Sequence, residues 1–111
     1  MESPTACAVV LVRFPFSDLS GAKLRPALVL ANSGRGDFVL CQITSNPYAD
    51  PIAVELTAGD FADGSLQRVS YARPGKLFTA HQSLLSAQIG TLAAASHARV
   101  IERVIVLLRG E

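Results

Sequence analysis

An arginine stands at the entrance to an apolar run in Leu24-Arg25-Pro26-Ala27, ahead of Leu28, Val29, Leu30 and Ala31. A guanidinium is rarely buried without a partner. A proline has no N–H for a sheet ladder and belongs at the first residue of a strand or on an edge. Arg25 is therefore expected at the mouth of a strand, held stiffly and facing a loop or cleft. There it either pairs with a loop acid such as Asp18 or contributes to a local positive site. A second polar pair, Thr44-Ser45, closes the apolar run that begins at Phe38. Alone, these are strand-end hydroxyls of the kind that satisfies turns. Of the two histidines, His97 falls in a C-terminal helical pattern and is expected to pack or face solvent. His81 follows Phe78-Thr79 and is the better acid–base candidate, because a free imidazole titrates near neutrality.

The chain around these groups has 111 residues, which suggests one domain, 1–111, with one core. Half of it is apolar and its net charge is +1, so it is neither a disordered nor a globally basic sequence. The charge is unevenly placed. Residues 13–36 hold Arg13, Lys23, Arg25 and Arg35 against Asp18 alone, and residues 37–63 hold five acids and no base. Arg68, Arg73 and Lys76 follow. Alternating surface charge or a local anion site both fit this pattern. The two cysteines, Cys7 and Cys41, lie near or inside apolar runs and read as reduced core thiols. Without a matching histidine pattern they make a poor metal site, so no metal or cofactor is expected. No apolar run approaches the ~20 residues that span a bilayer, and the N-terminus lacks a secretory pattern. A cytoplasmic location fits best.

The elements that must position these groups are mostly strands. Ala8–Phe14, Leu24–Ala31 and Phe38–Thr44 read as the three main ones, with turns at 15–22 and 32–36. Ile52–Leu56, Val69–Arg73 and Gln88–Leu92 read as shorter strands, and Lys76–Thr79 as a continuation beyond the Pro74-Gly75 turn signal. Thr57 with Asp60 three residues on predicts a helical turn at 58–62. Residues 83–86 are ambiguous. From about Ala94, Val100, Ile101, Val104, Ile105 and Leu108 recur at helical spacing, with Gly110 as the stop. The expected fold is mainly β: a small, twisted, partly closed barrel with a C-terminal amphipathic helix. A short turn near residue 34 would run the second and third strands antiparallel and set position 25 opposite 43 or 44.

The stretches "VLVRFPFSDLSGAKLRPALVLAN", "CQITS", "YARPGKLFTAHQSLL" and "IGTL", in this order and over residues 8–109, resemble the PemK/MazF-like toxins of bacterial toxin–antitoxin systems. The resemblance implies an SH3-like β-barrel with helices, a homodimer, and a metal-independent endoribonuclease. Such an enzyme cuts single-stranded RNA by 2′-OH attack and leaves a 2′,3′-cyclic phosphate. It also implies a cognate antitoxin protein as partner and no membrane attachment. The family's catalytic arginine falls on Arg25 and its strand-end hydroxyl on Thr44. Phe16, Asp18, Lys23, Gln42, Ser45, Arg73, Lys76 and His81 are the candidate RNA-binding residues. Cys7-Ala8 stands where the family usually opens with Gly-Asp or Gly-Glu. Tyr71 and Arg73 stand where one branch has an arginine and an aspartate, so no carboxylate base is evident. The alternative is a non-catalytic member of the fold that binds nucleic acid, an antitoxin or, like the poison CcdB, gyrase. CcdB acts through its terminal helix, whereas "VIVLLRGE" here is apolar enough to be core.

Overall fold

The computed structural model describes residues 3–14 and 23–111. Within them the strands are β1 (Ala8–Phe14), β2 (Lys23–Gly34), β3 (Asp37–Thr44), β4 (Val54–Leu56), β5 (Phe61–Gly64), β6 (Ser70–His81) and β7 (Leu85–Leu92), followed by one helix, α1 (Ala94–Arg109). The strands form one sheet in the order β4-β6-β3-β2-β1-β7-β5, every pair antiparallel. It curls into the half-barrel expected of the SH3-like class.

The three apolar runs form the centre of the sheet because both of its faces are covered there. Successive side chains alternate between faces. Val9, Leu28, Leu30, Cys41 and Ile43 join Val100 and Val104 of α1 in one cluster. Val10, Val12, Ala27, Val29, Phe38 and Leu40 form a second. Each such side chain contributes about 1.5–3 kcal/mol on burial. Both cysteines are free thiols, Cys41 buried and Cys7 half-buried. Burial pushes the Cys41 thiol up to about 12, and it donates to the Arg73 carbonyl at 3.2 Å.

The β2–β3 hairpin turns later than the sequence indicates. Asn32–Gly34 stay in the strand, and the turn is Arg35-Gly36, both left-handed at φ 58° and 80°. Two left-handed residues in succession are the geometry whose twist suits a hairpin. The positive φ favours glycine at 36, and a Cβ there would sit 2.8 Å from His81 Nε2, so the imidazole would also have to shift. Two irregularities in β2, between Val29 and Ala31 and between Asn32 and Gly34, then shift the register before it settles at Ala27 opposite Gln42.

Further differences from the sequence reading follow from tertiary pairing. β5 is a strand of Phe-Ala-Asp-Gly, with no β-branched residue, held by β7. The helical turn predicted at 58–62 is a single 3-10 turn, Ala58–Asp60. Residues 82–84 form another, and β7 starts three residues before the expected strand. β6 continues through Pro74-Gly75. Cys41 and Ile43 pair with Leu77 and Ala72, so four residues of β6 stand opposite the single residue Gln42. Pro74 is buried at this excursion, and the space beside Gly75 is open.

Helix α1 has no side-chain cap on its own first residue. Asp60 ties its start to the preceding turn. Its carbonyl accepts the Ala93 N–H at 2.8 Å and its carboxylate accepts the Ser96 hydroxyl at 2.8 Å. Gly110, at φ 76°, ends the helix as expected. The helical periodicity overstates burial at that end: Val104 is buried, but Leu108 is 72% exposed. No core residue lies beneath the last turn, so "VIVLLRGE" is not core throughout.

Candidate active site

Strand pairing builds the site. Val12 pairs with Arg25 on one side of β2. On the other side, the register Ala27–Gln42, carried two residues further, sets Arg25 opposite Thr44. Thr44 pairs in turn with Tyr71 of β6, and Tyr71 with Glu55 of β4. Directly opposed residues share a face, with Cα atoms about 4.5–5.5 Å apart. At this end of the sheet Val12 and Arg25 pair across β1 and β2, and Thr44, Tyr71 and Glu55 pair across β3, β6 and β4. Between them these rows carry a guanidinium, a hydroxyl, a phenol and a carboxylate.

Local hydrogen bonding orients Thr44. Its Oγ1 accepts the Asn46 N–H at 3.2 Å, and Asn46 Oδ1 accepts the Tyr48 N–H at 2.9 Å. With its oxygen held by a backbone donor, the Thr44 hydroxyl keeps its hydrogen for a ligand. The loop beyond is clamped to β6. Arg73 Nε donates to Asp50 Oδ2 at 3.0 Å. That hydrogen bond is the main reason the Asp50 carboxyl lies below its ordinary value.

A cavity of about 480 Å³ opens at this end of the sheet. Arg25 and Thr44 both line it, with Lys23, Ser45, Gln67 and Arg68 as further polar lining and Leu11, Pro26, Ile43, Leu66 and Ile89 as apolar lining. By alternation, Arg25 and Thr44 point to the face of Val12 and Ala27, while Leu11 and Ile43 belong to the other. The pair thus borders the cavity at the strand ends and does not sit on its floor. The volume and mixed lining suit a small polar ligand or one segment of a larger one.

The sequence candidates distribute as follows. Arg25, Thr44, Lys23 and Ser45 come together at the cavity, and Gln42 lies two residues from Thr44 on the same face. Arg73 is engaged by Asp50 and stands 5.4 Å from the centroid of the Tyr48 ring. Lys76 is exposed on the excursion of β6. His81 pairs with Asp37 at the opposite end of β3, its Nδ1 accepting the Ser83 N–H at 3.1 Å. Phe16 and Asp18 lie outside the described residues. Sequence reasoning did not name Gln67 or Arg68 as neighbours of the site, though the charge of Arg68 was a signal, and it met Tyr71 only as the residue standing where one branch of the family has an arginine or aspartate. His97 is a packing residue, its Nε2 lying 3.3 Å from the Val29 carbonyl. Among the described residues no group of three or more His, Cys, Asp or Glu side chains could hold a metal ion. Among them no helix is long and apolar enough to cross a membrane.

Residues 6–108 match the family described as the PemK-like, MazF-like toxin of type II toxin-antitoxin systems. The chain belongs to this toxin family. No curated protein sequence matches the toxin. Among solved structures, it is similar to MazF in a MazE–MazF complex from Deinococcus radiodurans, with TM-score 0.76, 25% identity, and 96% of this chain and 97% of that one covered. It is also similar to MazF alone from that organism, with TM-score 0.74, 24% identity and 100% of both chains covered. A mycobacterial endoribonuclease in complex with its cognate antitoxin has TM-score 0.68 and 20% identity over 99% of this chain and 96% of that one. The last two likenesses establish the toxin's fold.

Proposed function

We propose that this toxin is a metal-independent endoribonuclease that cuts single-stranded RNA at a phosphate held by Arg25 and Thr44. The reading rests on the β2–β3 register, which brings a guanidinium and an oriented hydroxyl to one end of the sheet beside a cavity. In the reaction the 2′-oxygen attacks the adjacent phosphorus, forming an O2′–P bond as the P–O5′ bond breaks. The 2′-OH proton passes to solvent base, the 5′-oxygen takes up a proton, and the product end is a 2′,3′-cyclic phosphate. Negative charge grows on the phosphoryl oxygens, where a fixed cation and a ready O–H donor are worth most. Incubating RNA with the toxin in EDTA and mapping the product ends tests this reading. Cyclic-phosphate ends support it; intact RNA, or cutting only when metal is restored, rejects it.

The Thr44 role has its own test. Thr44→Val keeps the shape and removes the hydroxyl, so cleavage should fall by about 10²-fold. Thr44→Ser should keep part of the activity. Equal rates for Val and wild type in a single-turnover assay would limit Thr44 to its turn.

The toxin is proposed to act as a homodimer in the cytoplasm, where its RNA substrate is. Leu24, Val69, Leu107 and Leu108 are all more than 40% exposed, apolar surface that a second copy would cover. A dimer would bury on the order of 1,200–2,000 Å². Light scattering should give twice the chain mass at micromolar concentration. A monomer with full cleavage would refute the dimer alone. The proposed protein partner is an antitoxin, since solved relatives are complexes with antitoxins. An acidic segment of it would compete with RNA for the basic residues 23–25 and 68–76.

A further inference from the structure

We propose that the exposed ring of Tyr48 is a stacking platform for an unpaired nucleobase of the bound RNA, adjacent to the phosphate at Arg25 and Thr44. The inference rests on the ribonuclease reading above.

Tyr48 is held where most of its side chain stays in solvent. Pro47-Tyr48-Ala49-Asp50 is a turn closed by the Asp50 N–H on the Pro47 carbonyl at 2.9 Å. Its two central residues lie at φ 53° and 57°, a left-handed conformation unfavourable for residues with a Cβ. Asn-Gly would be the relaxed choice for such a turn. Strain of this kind persists only where surrounding contacts over-determine it, and it gathers at ligand sites. Those contacts are present. Asn46 Oδ1 takes the Tyr48 N–H, Asp50 Oδ1 takes the Ile52 N–H, and Arg73 anchors Asp50 from β6.

The result is an aromatic side chain on a fixed backbone, 63% exposed, with the Arg73 guanidinium 5.4 Å from its ring centroid. The cation backs one side of the ring and leaves area open to solvent. A bare, oriented π-face is what single-strand binders offer to a base. The ring is also tied to the site. Thr44 Oγ1 holds the Asn46 N–H and Asn46 holds the Tyr48 N–H, a relay of two hydrogen bonds. Tyr48 is four residue steps along the chain from Thr44, so their Cα atoms lie within roughly 14 Å.

The chain has two tyrosines, Tyr48 and Tyr71, and no tryptophan. In a Tyr71→Phe background Tyr48 is the sole fluorophore. Titration with a 2′-O-methyl oligoribonucleotide, which lacks the nucleophile, should quench its emission saturably. In cleavage assays on the otherwise wild-type chain, Tyr48→Ala should raise KM by about 10–100-fold with kcat little changed. Tyr48→Phe should behave like wild type. Oligonucleotide binding seen by anisotropy without quenching, or an unchanged KM for Tyr48→Ala, would overturn the platform while leaving the ribonuclease reading intact. Quenching by an acidic peptide and not by RNA would assign the ring to a protein partner and overturn it too. A wild-type toxin that neither binds nor cuts RNA removes the ribonuclease reading, and the platform with it.

Discussion

Arg25→Ala should lower RNA cleavage by about 10²–10³-fold or more, the loss typical of removing a preorganised charge stabiliser. Arg25 is exposed, so the variant should fold and melt close to wild type. Arg25→Lys separates charge from geometry. An ammonium keeps the charge but cannot present a planar fork to two phosphoryl oxygens. It should therefore restore little of kcat. Single-turnover rates on one short RNA, with melting curves of both variants, read all of this. A folded Arg25→Ala protein that cuts near the wild-type rate would make Arg25 a structural strand-end residue and remove the central element of the proposed mechanism.

Asp60→Ala should be the most destabilising substitution outside the core, by about 2–4 kcal/mol, or roughly 10–20 °C in Tm. The Asp60 carboxylate accepts the Thr57 N–H at 2.7 Å, the Thr57 hydroxyl at 3.1 Å, the Ser96 hydroxyl at 2.8 Å and Arg99 at 3.1 Å. Truncation strands the buried Ser96 hydroxyl and removes a negative charge from the start of α1, where the helix dipole favours one. Arg99 is 54% exposed and adds little of this. The hydrogen bond from the Thr57 backbone, helped by the two hydroxyls, holds the Asp60 pKa below its ordinary 3.8. A depressed folded-state pKa stabilises above the unfolded value, and the effect is lost as pH falls through the folded one. The stability gap between wild type and Asp60→Ala should thus be full at pH 7 and shrink below pH 3.8. A gap that stays constant into acid would mean that shape, and not the carboxylate, is what α1 requires.

Where burial writes a repeating pattern, the chain was readable. β1, β2, β3 and the first three turns of α1 follow from apolar runs and helical spacing. The meeting of Arg25 and Thr44 at one end of the sheet was legible too, although the hairpin reaches it by another route. The turn falls at 35–36, and an unbroken ladder from Gly34–Asp37 would have set Arg25 opposite Asn46. The two register shifts in β2 bring it back to Thr44, and nothing in Leu30 or Ser33 announces them. Long-range pairing was equally silent. β5 exists because β7 offers it a ladder, and Arg73 is drawn to Asp50 across 23 positions. A left-handed Tyr48-Ala49 carries no glycine or asparagine to signal it. Tyr71 joins the site only through the pairing of β3 with β6.

The excursion of β6 opposite Gln42 gives the toxin a place where its chain length is negotiable. Pairing on either side is fixed by β3, buried Pro74 pins the start, and open space surrounds Gly75, which has no need of a positive φ. Residues inserted between Gly75 and Lys76 would extend outward without moving a ladder. A cysteine in place of Gly75 would carry a fluorophore near Arg73 and the Tyr48 ring while the core stays undisturbed. The same strand that lends Tyr71 to the candidate site thus offers an attachment point from which binding of the proposed RNA substrate can be tested.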